Sequence, residues 1–514
     1  RSLVYSPDET FRCEAVPHLA SVEPGTKLRL RFQLLAARTS QEVWSDEQPA
    51  TAGEPVPVPV EIPLAKLDEG AYDLTIEAVN AAKFHWPQQV RPQLLRGPLA
   101  ERTVQFLVLH AKPPAASEGR SATVVEIDPA NPKWWERFAR LPQWGRLPRL
   151  SKGPLGNGRL RTVRHALGEA AELAASKPGD ASWEAYTLPI NRPGEPHILE
   201  VEYPSDVPQT LGVSVVEPNA AGALVPHGLD SGVDQAEEVV AVAGEPKWLR
   251  HRLVFYPRTK APIVLMTNRR ESSPAVYGKI RVLAGWGKLP RAFPASSPPE
   301  RLFAGYLDRP LFPENFSATE SLGALSELKS VDDWVTFYEG GTRLVEYLHY
   351  AGQNGLMLSV LADASSISPC DRLEPTPRYD TGAFFASGQD PVRKDVLEML
   401  LRLFDREGLQ LIPALEFSTP LPELEAILRR GGPEAEGIRW VGPEGANWLQ
   451  VHSPHLGKAP YYNLLHPRVQ EAMLAAAREV AANYGRHPSF AGLGLQLSAY
   501  GYAQLPGPEW GLDD

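Results

Sequence analysis

The strongest constraint in this sequence lies beyond Pro299, where short apolar runs that do not alternate are separated by helical stretches. Gly355–Leu361 reads Gly-Leu-Met-Leu-Ser-Val-Leu, the pattern of a strand covered on both faces. Phe303–Leu307, Leu409–Leu415 and Phe490–Leu497 have the same character. A helix ends near Thr342–Gly352. A second opens at Asp390-Pro391, with a carboxylate at the N-cap and proline in the first turn. It carries the stripe Val392, Val396, Leu397, Leu400, Leu401 and Leu403, and Gly408 closes it. A third opens at His466-Pro467 and runs to about Tyr484. Strands alternating with helices imply parallel pairing through right-handed crossovers. Residues 300–514 therefore read as four successive β/α units.

The chain before this point obeys a different rule. Thr26–Leu34, Tyr72–Ala78 and Thr103–Leu109 alternate polar and apolar residues, as strands with one buried and one wet face do. The stretch Leu67–Tyr72 resembles the turn that leads into a strand in immunoglobulin-like sandwiches, which predicts such a sandwich over 1–112. Pro113–Gly119 is a linker. A second β-rich region, 121–290, holds strands at Trp183–Ile190, His197–Tyr203, Gln209–Val216, Trp248–Tyr256 and Lys279–Ala284, a set that suits a jelly-roll-like sandwich. The fold class is thus multidomain, an all-β N-terminal half followed by α/β. Many of the 51 prolines fall in tracts such as Pro55–Pro59 and Pro294–Pro299, as edge strands and linkers allow.

Bulk properties exclude several function classes. The net charge of −10 argues against nucleic-acid and anionic-membrane partners. No apolar run approaches the roughly 20 residues that cross a bilayer. Cys13 and Cys370 lie in different regions and form neither a disulfide framework nor a metal motif. His452, His455, His466 and His487 lack metal-ligand spacing. Nucleotide-binding glycine loops and the serine nucleophile elbow are missing as well. The chain starts at Arg1, which reads as a trimmed product whose export signal is gone. Asn315-Phe316-Ser317 fits a glycosylation sequon.

Asn354–Val360, the loop Ser365–Pro369, Asp390-Pro391 leading to Gly408–Ala414, Tyr462–Val469 and His487–Leu493 follow in a familiar order. Together they resemble the family-10-like glycosyl hydrolase domains, which are TIM (β/α)8 barrels of the retaining glycosidase superfamily. The resemblance implies that 300–514 is the first half of a barrel, truncated before closure. It implies an exported, extracellular or cell-envelope (periplasmic) protein with a carbohydrate ligand and no cofactor. Four parallel strands leave two raw edges, so the remainder of the barrel or another chain is expected to cover them.

Barrel sites collect at the C-terminal ends of the strands. The candidates there are Asp308, Asp363, Glu416, Gln496, Ser498 and Tyr500, with Tyr502 and Glu509 on the loop after the fourth strand. Glycoside hydrolysis takes two carboxyl groups roughly 5–10 Å apart, and Glu416 with Glu509 is the candidate catalytic pair. The related enzymes end the fourth strand in Asn-Glu, where this chain has Gln496-Leu497-Ser498. The alternative is therefore a non-catalytic carbohydrate-binding or envelope protein with a degenerate barrel. Within 121–290 the adjacent Trp134 and Trp135 are candidate sugar-stacking residues, since neighbours on a strand cannot share one core face.

Overall fold

The computed structural model describes the chain apart from residues 1, 18, 20–21, 54–55, 82–97, 114–120, 133–153, 219–223, 229–230, 242–243, 292–300, 319–320, 323–328, 331–332, 363–364, 371, 373–393, 419, 448–461, 498–500 and 512–514. It divides into two compact units. One comprises Arg1–Pro114, Arg291–Pro313 and Thr319–Asp514; the other comprises Ala115–Pro290 and Glu314–Ala318.

The first unit begins with a β-sandwich of seven strands: β1 (Val4–Tyr5), β2 (Thr10–Ala15), β3 (Lys27–Ala36), β4 (Gln41–Thr51), β5 (Val58–Pro63), β6 (Gly70–Asn80) and β7 (Ala100–Val108). Five form a sheet in the order β1-β7-β6-β3-β4, and β2 pairs with β5. The period-two pattern of β3 puts Leu28, Leu30, Phe32 and Leu34 inside, each at most 3% exposed. Phe11 stacks on Phe106 with ring centres 4.6 Å apart. The Tyr72 hydroxyl donates to the Asp68 carbonyl at 2.8 Å, tying the turn Leu67–Tyr72 back on itself as in a tyrosine corner.

The second unit carries β8 (Ala122–Ile127), β9 (Leu155–Gly156), β10 (Leu160–His165), β11 (Gly168–Leu173), β12 (Ser182–Thr187), β13 (His197–Pro204), β14 (Gln209–Pro218), β15 (Leu224–His227) and β16 (Gly232–Gln235). The short helix α1 (Glu237–Ala241) precedes β17 (Trp248–Phe255), β18 (Ile263–Asn268), β19 (Ala275–Tyr277) and β20 (Ile280–Ala284). A sheet β15-β14-β18-β12-β9, with β16 on β14, and a sheet β17-β13-β20-β8 enclose the core, with β10-β11-β19 alongside. Leu199, Val201, Val213, Val215, Val264, Met266 and Tyr277 meet in that core. Glu217 is buried but accepts hydrogen bonds from the Arg258 and Thr259 amides and the Thr259 hydroxyl, so its charge is locally satisfied.

The first unit resumes with β21 (Ala304–Leu307); after α2 (Phe312–Asn315), which the boundary after Pro313 divides, it continues with the small hairpin β22 (Ser321–Leu322) and β23 (Lys329–Ser330), α3 (Trp334–Tyr350), β24 (Gly355–Ala362) and β25 (Ser365–Ser366). Then follow α4 (Val396–Glu407), β26 (Gln410–Leu415), α5 (Pro422–Arg430), α6 (Pro467–Tyr484) and β27 (Gly494–Leu495). Strands β21, β24, β26 and β27 pair in parallel in their chain order. The helix caps follow ordinary chemistry. Asp333 caps α3 by accepting from the Val335 amide at 2.6 Å, and His466 caps α6 ahead of Pro467. Gly408 closes α4 at φ 68°.

Two sequence expectations need correction. The described part of α4 starts at Val396 with Asp395 as its cap; the expected start at Asp390-Pro391 lies outside the described residues. The fourth strand is two residues long instead of eight. Gly492 takes φ +141°, and only a bridge between Leu411 and Phe490 continues the pairing backward. An edge strand held on one side does not enforce regular pairing through such a bend. Among the described residues no helix is long and apolar enough to cross a membrane.

Within the first unit the outer face of the sandwich meets α3 and α4 along an ionic seam. The Glu69 carboxylate, only 4% exposed, accepts from Arg406 Nη1 at 2.7 Å, the His110 amide at 2.9 Å and the Tyr338 hydroxyl. Gln105 Oε1 accepts from the Trp334 amide at 2.6 Å while its Nε2 donates to Asp73 at 2.9 Å. Glu398 accepts from Arg402 at 2.8 Å, Arg486 at 3.1 Å and His487 Nε2 at 2.9 Å. Arg402 continues to Ser6 and Glu9. Burial opposes the Glu398 charge, but the His487 and Arg402 hydrogen bonds prevail and hold its pKa at about 2. His487 also sits 2.6 Å from Asp405, and the two carboxylates raise its pKa above the ordinary histidine value.

Candidate functional site

Among the described residues the candidate site lies at the C-terminal ends of β21, β26 and β27. Strand β21 places Tyr306 and Asp308 two residues apart, on one face of the strand. Glu416 follows β26 directly, and its amide donates to the Leu361 carbonyl at 2.9 Å. Gln496 follows β27, with its amide on the Leu415 carbonyl at 2.9 Å. Since Leu415 pairs with Leu495, Glu416 and Gln496 occupy the next rung, side by side.

The ends converge. Strands in a flat sheet lie about 4.8 Å apart, which would separate β21 from β27 by roughly 14 Å. Yet Gln496 Nε2 reaches the Asp308 carbonyl at 3.4 Å. Arg309 Nη1 lies 3.7 Å from Glu416 Oε2 and 3.8 Å from Asp308 Oδ2. The sheet therefore curves so that side chains from its first, third and fourth strands meet.

Exposure sorts these groups. The Glu416 side chain is completely enclosed, Arg309 is 18% exposed and the Asp308 side chain 67% exposed. Tyr306 stands open at 55%; partial burial and then the Asp308 charge push its phenol above the usual pKa. Gln496 is buried, and its Oε1 has no hydrogen-bond partner among the described residues. Glu416 thus acts on Arg309 from behind, while Tyr306, Asp308 and Arg309 form the accessible surface. Sequence reasoning missed Tyr306 and Arg309. The two-residue spacing from Asp308 was a signal for Tyr306; nothing local marked Arg309, whose partner lies more than a hundred residues downstream.

The other candidates are placed differently. Glu509 is exposed on the turn Pro508–Trp510, its carboxylate folded back over Gly507. Glu416, by contrast, is enclosed. Tyr502 is 1% exposed and belongs to loop packing rather than to an open surface. Its amide donates to the Phe417 carbonyl at 2.7 Å, and its ring meets Tyr462 at 5.0 Å, edge to face. Tyr462 in turn donates to Glu425 at 2.8 Å. Trp510 packs over Gly442, where a Cβ would stand 2.6 Å from the indole. Asp363, Ser498, Tyr500, Trp134 and Trp135 lie outside the described residues.

Among the described residues no group of three or more His, Cys, Asp or Glu is disposed to hold a metal ion. Both cysteines are free thiols, and burial pushes Cys13 up to about 11, which leaves it unreactive at neutral pH.

No family model and no curated protein matches the chain. Solved structures similar to part of it include the xylan-binding CBM22-1 domain of Xyn10C from Paenibacillus barcinonensis, at 7% identity. That match covers 34% of this chain and all of that one, with a TM-score of 0.23. A mannan-recognising module, TmCBM27, is 16% identical over 32% of this chain and 98% of its own, with a TM-score of 0.20. A family 35 carbohydrate-binding module from Clostridium thermocellum is 10% identical over 32% and 99%, also at 0.20.

Proposed function

We propose that this chain is a non-catalytic carbohydrate-binding protein that takes its ligand at the converging strand ends of the first unit. One observation carries the reading: the carboxylate best placed for chemistry, Glu416, is enclosed and spent on Arg309. A general acid must reach within hydrogen-bond distance of the oxygen it protonates, and the Glu416 side chain presents no exposed surface. What remains accessible is an aromatic face, a guanidinium and one carboxylate. That set suits a polyhydroxylated ligand, whose ring stacks on Tyr306 and whose hydroxyls accept from Arg309 and donate to Asp308. The sugar class itself rests on the resemblance of the C-terminal motifs to glycosyl hydrolase domains. In the same reading, 1–112 and 121–290 are accessory sandwiches, 300–514 is the first half of a barrel, and the protein works outside the cytoplasm.

The test is calorimetric titration of the full chain with hexasaccharides of β-glucose, β-xylose, β-mannose and N-acetylglucosamine. Reducing ends are followed in parallel. Binding without turnover is expected, and Tyr306→Ala should weaken it roughly tenfold while leaving stability within about 0.5 kcal/mol. Hydrolysis by the wild-type chain that disappears in Glu416→Gln would establish the glycosidase instead.

A further inference from the structure

The sandwich of the first unit leaves part of one strand edge unpaired. Strand β7 lies beside β6 along its whole length, from Ala100 opposite Ala78 to Val108 opposite Gly70. On its other edge β1 covers only Leu107 and Val108, through parallel pairing with Val4 and Tyr5. Leu3, at φ 58°, turns the chain away before β1 can follow β7 further. The Leu107 and Leu109 amides donate to the Leu3 and Tyr5 carbonyls, so the odd-numbered residues of β7 direct their backbone groups to this edge. There the N–H and C=O of Glu101 and Thr103 have no backbone partner among the described residues. Other edges of the sandwich carry proline, Pro49 in β4 and Pro59 and Pro63 in β5, which hinders pairing with a further strand. Ala100–Val104 holds none, so each of its edge amides is free to pair.

Beside this edge a bay of about 360 Å³ opens between β2 and the main sheet. Leu30, Ile76, Ala78 and Val104 line it on one side, Ala15 and Val16 on the other. Ile76 and Val104 hold inward positions, in step with the fully buried Leu74 and Phe106, yet they are only half-buried. The two-stranded sheet β2-β5 stops short of covering them. Charge adds a second requirement. Glu101 stands directly opposite Glu77, and like charges so placed repel. Arg31 lies 4.0 Å from Glu77 but 2.9 Å from Glu47, and Glu101 makes no ion pair among the described residues. A strand laid along β7 sets one residue beside Glu101 and turns its neighbours toward the bay, because side chains alternate with period two. A cation beside Glu101 relieves the repulsion, and apolar neighbours complete the cover of Ile76 and Val104.

We propose that the open edge of β7 at Ala100–Val104, with the bay beside it, docks an extended segment of a partner protein in which basic and apolar residues alternate. Main-chain pairing with β7 supplies the affinity, and the alternating side chains supply the selectivity. The surface shares no residue with the strand-end site. The experiment uses the full chain and fluorescein-labelled peptides of about eight residues, enough for an ordinary strand. One peptide alternates valine and lysine, one alternates valine and glutamate, and one is the valine–lysine peptide N-methylated throughout. Anisotropy titrations on wild type, Glu101→Lys and Thr103→Pro are run at high salt, which screens the net charge of −10. Sedimentation of each protein without peptide is measured alongside.

Wild type should bind the valine–lysine peptide roughly tenfold or more tightly than its N-methylated form, and about two- to fivefold more tightly than the valine–glutamate peptide. Glu101→Lys, a change at an exposed side chain, should reverse the preference between the two charged peptides. Thr103→Pro removes one edge amide and should weaken the valine–lysine peptide roughly three- to tenfold. Should Thr103→Pro fail to fold, the Glu101→Lys reversal decides alone. Equal binding of the methylated and unmethylated peptides overturns the proposal, because main-chain pairing is then not used. A charge preference unchanged in Glu101→Lys overturns it too, as does failure of wild type to bind the valine–lysine peptide. Self-association of the wild-type chain that Thr103→Pro abolishes assigns the edge to a second copy and likewise overturns it.

Discussion

The ionic seam and the strand-end cluster both bury a glutamate beside arginine, and they differ in what the burial serves. In the seam, Glu398 takes hydrogen bonds from Arg402, Arg486 and His487, and Glu69 takes them from Arg406, Tyr338 and a backbone amide. Those carboxylates are answered by protein donors on all sides. At the strand ends the enclosed Glu416 lies 3.7 Å from the Arg309 guanidinium, and its neighbour Gln496 has a buried oxygen without a donor among the described residues. A seam of saturated charges holds two layers together. The strand-end cluster has an exposed tyrosine, and under the proposed reading it faces a ligand.

The largest effect that tests this contrast is Glu398→Ala. It strands Arg402, Arg486 and His487 around an empty position and should cost about 3–5 kcal/mol in denaturant unfolding at neutral pH. Because the folded-state pKa of Glu398 is depressed, its contribution is present above about 4.5 and lost as pH falls toward about 2. The deficit of the variant should therefore shrink over that window. A deficit below about 1 kcal/mol at pH 7 would mean that the seam is not what binds the layers.

Asp395 provides the opposite sign within the same helix. It caps α4, accepts from the Tyr484 hydroxyl at 2.9 Å and is raised by burial to about 6. A raised carboxylate stabilises below its unfolded pKa and loses that contribution as pH rises through the folded value. Asparagine keeps the cap without ionising. Asp395→Asn should thus gain on wild type between pH 4 and 7, by up to about 3 kcal/mol. A difference that is flat across this range would show that Asp395 is not held neutral. The smallest effect belongs to the strand ends. Gln496→Leu removes an unpaired buried oxygen and should change stability by less than about 1 kcal/mol, in either direction. A loss as large as that of Glu398→Ala would erase the distinction between the two regions.

Much of this architecture is local and therefore legible in the residues. The alternation in β3 and β6, the uniform run of β24 and the His466-Pro467 cap all act within a few positions, and each marks its element. The length of β27 was not legible, because Gly492 bends an edge strand that no second neighbour straightens. Glu416 could be named as a strand-end carboxylate. Its approach to Arg309 could not, since that contact depends on sheet curvature, which brings together residues of strands that are not neighbours. The seam was equally invisible. Nothing near Glu69 announces Arg406, and nothing near Ser6 announces Arg402.

That last separation has a consequence in time. Ser6 and Arg402 are 396 positions apart, and the second unit is inserted between the two stretches of the first. At roughly 5–20 residues per second of synthesis, the sandwich, whose last strand ends at Val108, is made about 15–60 s before Arg402. During that interval Glu69 and Gln105 meet water rather than Arg406 and Trp334, and the nascent sandwich must stay soluble with that face open. The polar chemistry of the seam is what makes the wait tolerable. An apolar interface of the same extent would present the ribosome-bound chain with a sticky surface for a minute, whereas this one stays hydrated until its partner arrives.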